Sequence, residues 1–466
     1  MREIWIAELL ICLFLFLHIS RPVIKALRSI EGLAWLPLTA LIITLVLFPA
    51  YGFRPELVPL LLYTAFLTGA GIFAQIRDNA RFGAYKKTRI ALVIPPLALL
   101  FITAGIAFYF TPAKDTALIT RGVYTLRAEG KGAEYYIRIY TDSNDLHPSS
   151  RPLLILAPPL LGSIMAVDQI SGELRDRGFT ALSYSRRGFD SPAIHVSEDG
   201  KTERHGIGAA EWFRRFNTFS SGTVSAKANA YGRLLEDERK KDIQFLLSWL
   251  RQNPLLDEKI PLFSIASRSA VFLAGYDAGG SALVLPGNSF SNFSEIQIRG
   301  LIAIESPLWS MYRAETPEIP PLSPEAGWLE SVRYGLKRWF EDMKPKKITG
   351  VGQVPELTIP VLFLTSGRER DSRHQALYRC FEAAPAHSVL ASADGAGPLD
   401  YSDFPVRYPL ITAFFRGRQK KVWNNIDAPA GTADIITAFA AQAAEGGAAS
   451  PLKNAPLPKG IQFSYR

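Results

Sequence analysis

The stretch that decides the fold is AVFLAGYDAGG, residues 270–280. Its apolar first half, Ala270–Ala274, predicts a buried strand, and the Gly-x-Asp-x-Gly pattern after it predicts a tight turn into a short helix. Glycine at positions 275 and 279 lets strand and helix pass close together in a strained turn. Such a turn lifts Asp277 to the carboxyl edge of a sheet. On its own, the pattern is also that of an ordinary Asp turn.

Strands and helices alternate around this stretch from Thr111 onward, which predicts an α/β domain with a largely parallel sheet. Residues 113–425 form this domain, with irregular insertions at about 195–230 and 311–358. The second insertion carries aromatic residues, among them Trp328 and Trp339, that are expected to pack over the sheet, with a cleft or lipid as the alternative environment. Residues 426–466, rich in Ala and Pro, are expected to form a tail with one helix, Ala433–Ala444. The other predicted strands are Tyr135–Tyr140, Leu153–Ala157, Thr180–Tyr184, Leu301–Ile304, Pro360–Leu364 and His387–Leu390, and the other predicted helices are Ser171–Arg177 and Asp237–Leu250.

The first 112 residues are apolar and predict a region of transmembrane helices. Spans need roughly 20 apolar residues. The first stretch is short and contains Glu8, so a signal peptide is its alternative interpretation. The four candidate spans are Ile4–Ile19, Leu33–Ala50, Leu57–Ile76 and Ile90–Phe110.

Basic residues are concentrated in two of the short loops between these stretches. The loop after the first contains Arg21, Lys25 and Arg28, and the loop after the third contains five Lys or Arg between positions 77 and 89. Positively charged loops stay in the cytoplasm. We therefore expect a multi-pass protein of the inner cell membrane whose large domain lies on the extracytoplasmic, periplasmic side.

Composition limits the possible functions of the 466-residue chain. Hydrophobic residues make up 48% and charged residues 20%, which excludes a disordered or fibrous chain. Two cysteines and six scattered histidines give neither a disulfide framework nor metal-ligand spacing, and no Gly-rich nucleotide loop is present. We therefore expect no cofactor. The net charge of +9 lies largely in the loops of the apolar region, which favours the lipid bilayer as a partner over nucleic acid.

Segments on either side of the deciding stretch strengthen the prediction of a site. LLILAPPLLGS, residues 153–163, is a buried strand that leads into a turn, and GFTALSYSRRGFDS, residues 178–191, is a strand followed by an Arg-Gly turn. Glu305 ends the strand Leu301–Ile304. With these motifs in this order, the chain from about Arg121 to Phe415 resembles the α/β-hydrolase superfamily. It is most similar to the branch of dienelactone hydrolase and platelet-activating-factor acetylhydrolase.

The resemblance implies a role for each matching position. The strand-to-helix turn within residues 270–280 corresponds to the nucleophile elbow of the family. Asp277 stands at its nucleophile position, and Glu305 stands at the acid position. The backbone N–H groups of Leu160 and Ala278 would form the oxyanion hole. The position of the family's histidine is occupied by Pro398, and prolines 158 and 159 replace the usual His-Gly of the oxyanion loop.

These departures predict an α/β-hydrolase-like domain with a degenerate triad, acting as a non-catalytic binding or scaffolding module of the cell envelope, with a lipid or acyl ligand. In that interpretation the Asp277 carboxylate fills the oxyanion site and stabilises an inert turn. The alternative is an active hydrolase of an ester or lipid-like substrate. It would use Asp277 as nucleophile, as dehalogenases and epoxide hydrolases do, and a histidine from the first insertion, such as His195 or His205. A transporter is disfavoured because Glu8 is the only charge within the candidate spans.

Overall fold

The computed structural model describes most of the chain. The described residues are 2–51, 55–78, 90–110, 122–130, 132–142, 151–160, 162–196, 202–221, 226–257, 260–285, 290, 293, 295–314, 348–366, 375–393, 401–403, 428–445 and 461–466. They divide into two units, one of Met1–Thr116 with Asp199–Glu211 and one of Ala117–Glu198 with Trp212–Arg466.

The first unit is built from apolar helices: α1 (Arg2–Ser20), α2 (Lys25–Arg28), α3 (Leu36–Tyr51), α4 (Val58–Asp78) and α5 (Ile94–Phe110). A small core joins them, with Ile11, Leu15, Leu60 and Leu100 at most 2% exposed. Large apolar side chains also point away from this core. The helices therefore present apolar surface that their own packing does not cover. The most exposed of these side chains are Leu62, Phe66, Phe73, Ile76, Ile90, Leu92 and Phe101, each at least 64% exposed.

Only one of the four candidate spans has the length and hydropathy of a membrane-crossing helix among the described residues. This segment is Ile90–Ala107, with a mean hydropathy of 2.4. The other apolar helical segments, Ile6–Ser20, Gly32–Phe48 and Val58–Phe73, are shorter than 18 residues.

Nine strands of the second unit form one mixed sheet in the order β1-β2-β4-β3-β9-β10-β13-β14-β15. Six neighbouring strands, β4 to β14 in that order, are parallel, while β2 and β15 run antiparallel to their neighbours. The six parallel strands are near-continuous apolar runs, because both faces of the sheet are covered. The strands are β1 (Val123–Gly130), β2 (Ala133–Tyr140), β3 (Pro152–Ala157), β4 (Thr180–Arg186), β5 (Ala193–Val196), β6 (Thr202–His205), β7 (Leu255–Asp257), β8 (Ile260–Pro261), β9 (Ser267–Tyr276), β10 (Ile298–Ile304), β11 (Tyr312–Ala314), β12 (Ile348–Val351), β13 (Val361–Thr365), β14 (Val389–Ala393) and β15 (Ile461–Tyr465).

Helices pack on both faces of this sheet. The helices that follow α5 are α6 (Asp168–Asp176), α7 (Ala209–Ser221), α8 (Ala226–Arg251), α9 (Ala278–Val284), α10 (Gln375–Glu382) and α11 (Ala428–Glu445). Side chains of α8, α9 and α10 share one core with the sheet. Those of α6 and α11 share the core of the opposite face. A large, mostly parallel sheet between two helical layers fits the α/β-hydrolase fold.

Two regions are more ordered than their sequence patterns predict. The first insertion contains α7, and α8 begins at Ala226, eleven residues before the predicted start at Asp237. The segment expected to be a tail contributes α11, whose Ile435, Ile436 and Phe439 are fully buried, and β15, which pairs with β14. Of the second insertion, β11 and β12 pair with each other, while Trp328 and Trp339 lie outside the described residues.

Candidate active site

The turn between β9 and α9 requires glycine at three positions. A Cβ atom at Gly275 would lie 2.3 Å from the backbone carbon of Gly279. At Gly279 it would lie 2.9 Å from the Cβ of Ala157, and at Gly280 it would lie 2.6 Å from the carbonyl oxygen of Gly275. The strand, the helix that leaves it and the end of β3 are therefore in backbone contact around residue 277.

Asp277 occupies the apex of this turn in a strained conformation. Its φ of 55° and ψ of −116° lie outside the regions that L-residues normally adopt. The backbone is held by a bond from the Asp277 N–H to the carbonyl of Ile304, 2.8 Å, and by a bond from the Ser281 N–H to the Asp277 carbonyl, 3.0 Å. The side chain is only 5% exposed. The fold thus orients a buried carboxylate at the carboxyl edge of the parallel strands.

The Asp277 carboxylate contacts one of the two predicted backbone donors. The Leu160 N–H donates to Asp277 Oδ2 over 3.3 Å. Ala278, the other predicted donor, is the first residue of α9 and is 1% exposed. Leu160 and Ala278 also share a small apolar cluster with Leu235 and Trp309, which covers the turn.

Glu305 lies directly after β10, as its position in the sequence predicts. Its backbone also has a positive φ, 48°, and its N–H donates to the carbonyl of Leu364 over 2.8 Å. The carboxylate accepts a hydrogen bond from the Ser366 N–H beyond β13. Because β9, β10 and β13 are parallel neighbours, Asp277 and Glu305 lie at the same edge of the sheet.

Pro398, which stands at the position of the family's histidine, and His374 lie outside the described residues. His387 precedes β14, and its N–H donates to the carbonyl of Arg466. It therefore lies at the amino edge of the parallel strands, opposite Asp277. The ring of His195 stacks on Tyr136 with centroids 5.1 Å apart. Ser281 has a structural role, since its Oγ accepts the Leu308 N–H over 3.0 Å.

A buried ionic network that the sequence analysis missed holds the turn that carries Leu160. Arg239 of α8 is 1% exposed, pairs with Asp190 and Asp242, and donates to the carbonyl of Pro159 over 3.4 Å. Arg215 of α7 donates to the carbonyl of Phe189 over 2.7 Å and to that of Leu160 over 3.4 Å. Burial raises the pKa of Asp242 to about 6 despite its two arginine partners, Arg239 and Arg186. The only sequence signal is the Arg239–Asp242 spacing on one helix face.

Glu236 of α8 is a second buried carboxylate. Its hydrogen bonds connect α9 to the segment after β10. It accepts the backbone N–H groups of Trp309, 2.7 Å, and Ser310, 3.0 Å, and the Ser310 hydroxyl. Burial raises its pKa to about 7, against the opposing effect of these bonds and of a bond from Ser281. Gly232, one turn earlier, lets α8 approach the indole of Trp309, because a Cβ there would lie 2.3 Å from the ring.

Comparisons with known proteins give one family-model match at the N-terminus and remote likenesses to solved structures. A family model described as "TP_0976_N: N-terminal domain" matches residues 2–109. No curated protein matches the chain. Similar solved structures include a ferulic acid esterase from Streptomyces cinnamoneus, which is 14% identical with a TM-score of 0.46 over 74% of this chain and 97% of that one.

Two other solved structures resemble the chain more weakly. An α/β serine hydrolase without a lid from Xanthomonas campestris is 13% identical, with a TM-score of 0.28 over 59% of this chain and 85% of that one. A dienelactone hydrolase-like promiscuous phosphotriesterase from metagenomic libraries is 13% identical, with a TM-score of 0.31 over 60% and 85%. Likenesses this remote give no information about chemistry. The strand order and the elbow geometry of the chain itself are what fit an α/β-hydrolase fold.

Proposed function

We propose that this chain is a membrane-anchored, extracytoplasmic α/β-hydrolase-fold protein with a degenerate triad, which acts as a non-catalytic binding or scaffolding module of the cell envelope. The observation that carries the proposal is the bond from the Leu160 N–H to Asp277 Oδ2. In a serine hydrolase this donor would stabilise the oxyanion of the substrate. Here it already has an anionic acceptor that belongs to the protein.

The environment of Asp277 supports a resident carboxylate. The side chain is buried beside the first turn of α9, where the positive end of the helix dipole favours a carboxylate. Substrate would have to displace this carboxylate from Leu160 before its own oxygen could be bound. The proline at position 398, where the resemblance places a histidine, supports the same interpretation, since proline cannot transfer a proton.

Membrane anchoring rests on the first unit. Ile90–Ala107 has the length and hydropathy to cross a bilayer. The exposed apolar side chains of α1, α3 and α4 suit contact with lipid tails, which supports four spans over one. With the basic loops in the cytoplasm, the second unit would lie outside, next to the membrane. A lipid or acyl compound at that surface is the proposed class of ligand.

An active hydrolase is the second candidate, and it rests on the same bond. With Oδ2 bound to Leu160, Oδ1 could attack the acyl carbon of an ester or lipid-like substrate. The bond from this carbon to the alcohol oxygen would break and the alcohol would leave with a proton from solvent. Water would then hydrolyse the mixed anhydride between Asp277 and the acyl group, which releases the acid and restores the carboxylate. The strained backbone at Asp277 and the nearby Glu305 support this candidate, because strain is often retained at functional sites.

Ester hydrolysis separates the two candidates. The full chain in dodecyl maltoside would be assayed with short-chain aryl esters and a phospholipid with a short second acyl chain. The matched variants are Asp277→Asn at the site and Asp176→Asn, an exposed carboxyl at the end of α6. We expect all three proteins to show the same background rate. Turnover that disappears only in Asp277→Asn would refute the non-catalytic proposal and establish the alternative.

Topology can be tested with single cysteines and a membrane-impermeant maleimide. In a Cys12→Ala background, Ser248→Cys reports on the exposed face of α8 and Ser29→Cys reports on the first basic loop. The native Cys380 is fully buried. We expect Ser248→Cys to be labelled in intact spheroplasts and Ser29→Cys to be labelled only after permeabilisation. The reverse pattern would contradict the proposed orientation.

A further inference from the structure

A cavity of about 470 Å³ lies beside the elbow and does not include Asp277. Its walls come from α8, α9, the segment after β10, and residues 353–356. Glu236, Ala282 and Met311 form the buried inner end, each at most 3% exposed. Asp237 and Glu356 lie at the exposed mouth. The cavity is therefore deep enough to enclose part of a small molecule.

Above the raised pKa of Glu236, about 7, the inner end of the cavity carries a negative charge that no side chain among the described residues neutralises. Glu236 is 2% exposed, and within the described part of the chain it forms no ion pair. Its contacts are instead with neutral groups, namely the N–H groups of Trp309 and Ser310 and the hydroxyls of Ser310 and Ser281. A buried carboxylate without a cation is costly, because hydrogen bonds alone replace only part of its hydration.

The charged groups around Glu236 leave the cavity negative. Among the described lining residues, Asp237 and Glu356 add two carboxylates, against one ammonium group, that of Lys240. No ion pair joins Lys240 to Glu236, although they are one helical turn apart on α8. The α9 helix and the segment Trp309–Met311 contribute no charged side chain to the lining. The field inside the cavity thus favours a cation.

The hydrogen bonds of Glu236 indicate which kind of cation fits. A carboxylate accepts about four hydrogen bonds, and Glu236 already has four donors. A primary amine placed beside it would lack free acceptors there, whereas a quaternary ammonium group needs none. The mixed lining also supplies apolar side chains that match methyl groups, namely Ala282, Leu285, Met311 and Val354. Such a group would gain from the negative field without competing for the bonds of Glu236.

We propose that this cavity is a binding site for a quaternary ammonium group, with Glu236 as its buried counter-charge and Asp237 and Glu356 as its outer counter-charges. The site is independent of the proposed role of Asp277, because it shares no lining residue with the elbow. Its ligand could be a free organic cation or a headgroup carrying the same chemistry.

Isothermal titration calorimetry of the full chain in dodecyl maltoside at pH 8 tests this site with tetramethylammonium chloride as the probe. Neopentyl alcohol, a neutral molecule of similar shape, and potassium chloride at equal concentration are the comparisons. We expect saturable binding of tetramethylammonium and at least fivefold weaker binding of the alcohol. Equal affinity for the two molecules, or no saturable binding of the cation, would overturn the proposal.

Variants identify the counter-charges. We expect Glu236→Gln to weaken tetramethylammonium binding by about tenfold, as loss of a nearby buried charge predicts. Asp237→Asn with Glu356→Gln, both at the exposed mouth, should weaken it by about threefold without affecting folding. Glu382→Gln, an exposed carboxyl at the end of α10, is the control and should leave affinity unchanged. Wild-type affinity in Glu236→Gln and also in the double variant of Asp237 and Glu356 would contradict the site. If Glu236→Gln does not fold, the double variant alone decides.

The pH dependence provides a second readout, because only the charged form of Glu236 attracts the probe. Its raised pKa, about 7, predicts weaker binding as the pH falls from 8 to 6. The loss should be greater in wild type than in Glu236→Gln, in which Asp237, Glu356 and Lys240 are the remaining charged groups. An identical pH profile in the two proteins would overturn the assignment of Glu236.

Discussion

At the β9–α9 turn, close contact between backbone segments determines which residue types fit at individual positions. Asp277 keeps a positive φ because the groups around it bond its backbone on both sides. The glycines at 275, 279 and 280 are required by neighbouring backbone and not by their own φ angles, which are not positive. Such local requirements are visible in sequence, and for this reason the stretch 270–280 predicts the elbow from eleven residues.

Gly275→Ala should strongly destabilise the second unit. The new methyl group would lie 2.3 Å from backbone atoms of Gly279, which cannot move without displacing α9. We expect a loss of about 3 kcal/mol or more, as in other overpacked cores. Gly172→Ala in α6 is the control, since its Cβ meets nothing within 4 Å, and it should be neutral or stabilising by up to about 1 kcal/mol. Thermal unfolding followed by tryptophan fluorescence compares them, and equal stability would refute the packing argument.

The chemistry at residue scale is less visible in sequence than the turn. The resemblance places Leu160, Ala278 and Glu305 near the site, and the structure brings Leu160 into contact with Asp277. The roles of Glu305 and Ala278 remain predictions. Glu236 could not be found from the sequence, because its burial depends on Trp309 and Ser310, more than 70 residues later in the chain.

At the scale of elements, α8 links the sheet to the loop that carries Leu160. Its predicted apolar face, including Ile243, Leu246 and Leu250, is buried as its periodicity indicates. Residues 226–236 are not predicted to be helical, and buried polar side chains there, Asn229 and Glu236, interrupt the apolar pattern. Arg239, within the predicted part, pairs with Asp190 in the turn after β4, and helix periodicity does not indicate such a partner. Long-range ion pairs of this kind are where sequence patterns fail.

Arg239→Met should destabilise the protein although the new side chain is apolar and similar in length. It leaves Asp190 without its buried arginine and leaves Asp242 with Arg186 and the Tyr135 hydroxyl as partners. Removal of one partner from a buried pair typically costs about 3–5 kcal/mol. Lys241→Met, which breaks an exposed pair with Glu238, should change stability by less than about 0.5 kcal/mol. If chemical denaturation gives equal losses for both, the network is not structural.

The strand β15 should contribute to stability through alternate side chains. Phe463 is half-buried against the core of the α6–α11 face, while the neighbouring Gln462 is exposed. Phe463→Ala is expected to lower the free energy of unfolding by about 1–3 kcal/mol, and Gln462→Ala by less than about 0.5 kcal/mol. The same denaturation experiment measures both. Indistinguishable variants would show that β15 does not pack as described.

At the scale of the whole molecule, the exposed large apolar side chains lie mainly in the first unit, whereas buried charged side chains occur in both units, such as Glu8 in the first and Glu236 in the second. The sequence indicates where apolar residues are concentrated, since hydropathy is a regional property. Among the described residues, one of the four predicted spans, Ile90–Ala107, has the length and hydropathy of a membrane-crossing helix.

The stability of the whole chain should decrease as the pH rises from about 5 to about 7.5. Burial raises the folded-state pKa of Glu236 from 4.5 to about 7 and that of Asp242 from 3.8 to about 6. The folded protein therefore holds protons that the unfolded chain releases, and this stabilisation is fully present below the unfolded pKa and lost as the pH rises through the folded pKa. For Glu236 the loss is about 3 kcal/mol.

Melting temperatures measured between pH 5 and 7.5 test this prediction, with Glu236→Gln as the comparison. The variant has no titrating group at this position, so its melting temperature should fall less steeply over the same interval. Asp242 continues to titrate in both proteins and sets the remaining slope. Parallel curves for the two proteins would contradict the raised pKa of Glu236.

The antiparallel pairing of β15 with β14 has a consequence for biosynthesis. During translation, β14 leaves the ribosome well before Ile461–Tyr465, and in that interval its outer edge has no strand to bond. An unpaired edge of a central apolar strand is prone to aggregate with other nascent chains. If the apolar helices are already in the bilayer at that stage, they hold the unfinished sheet at the membrane. Its slower diffusion would limit such encounters until the last strand is made.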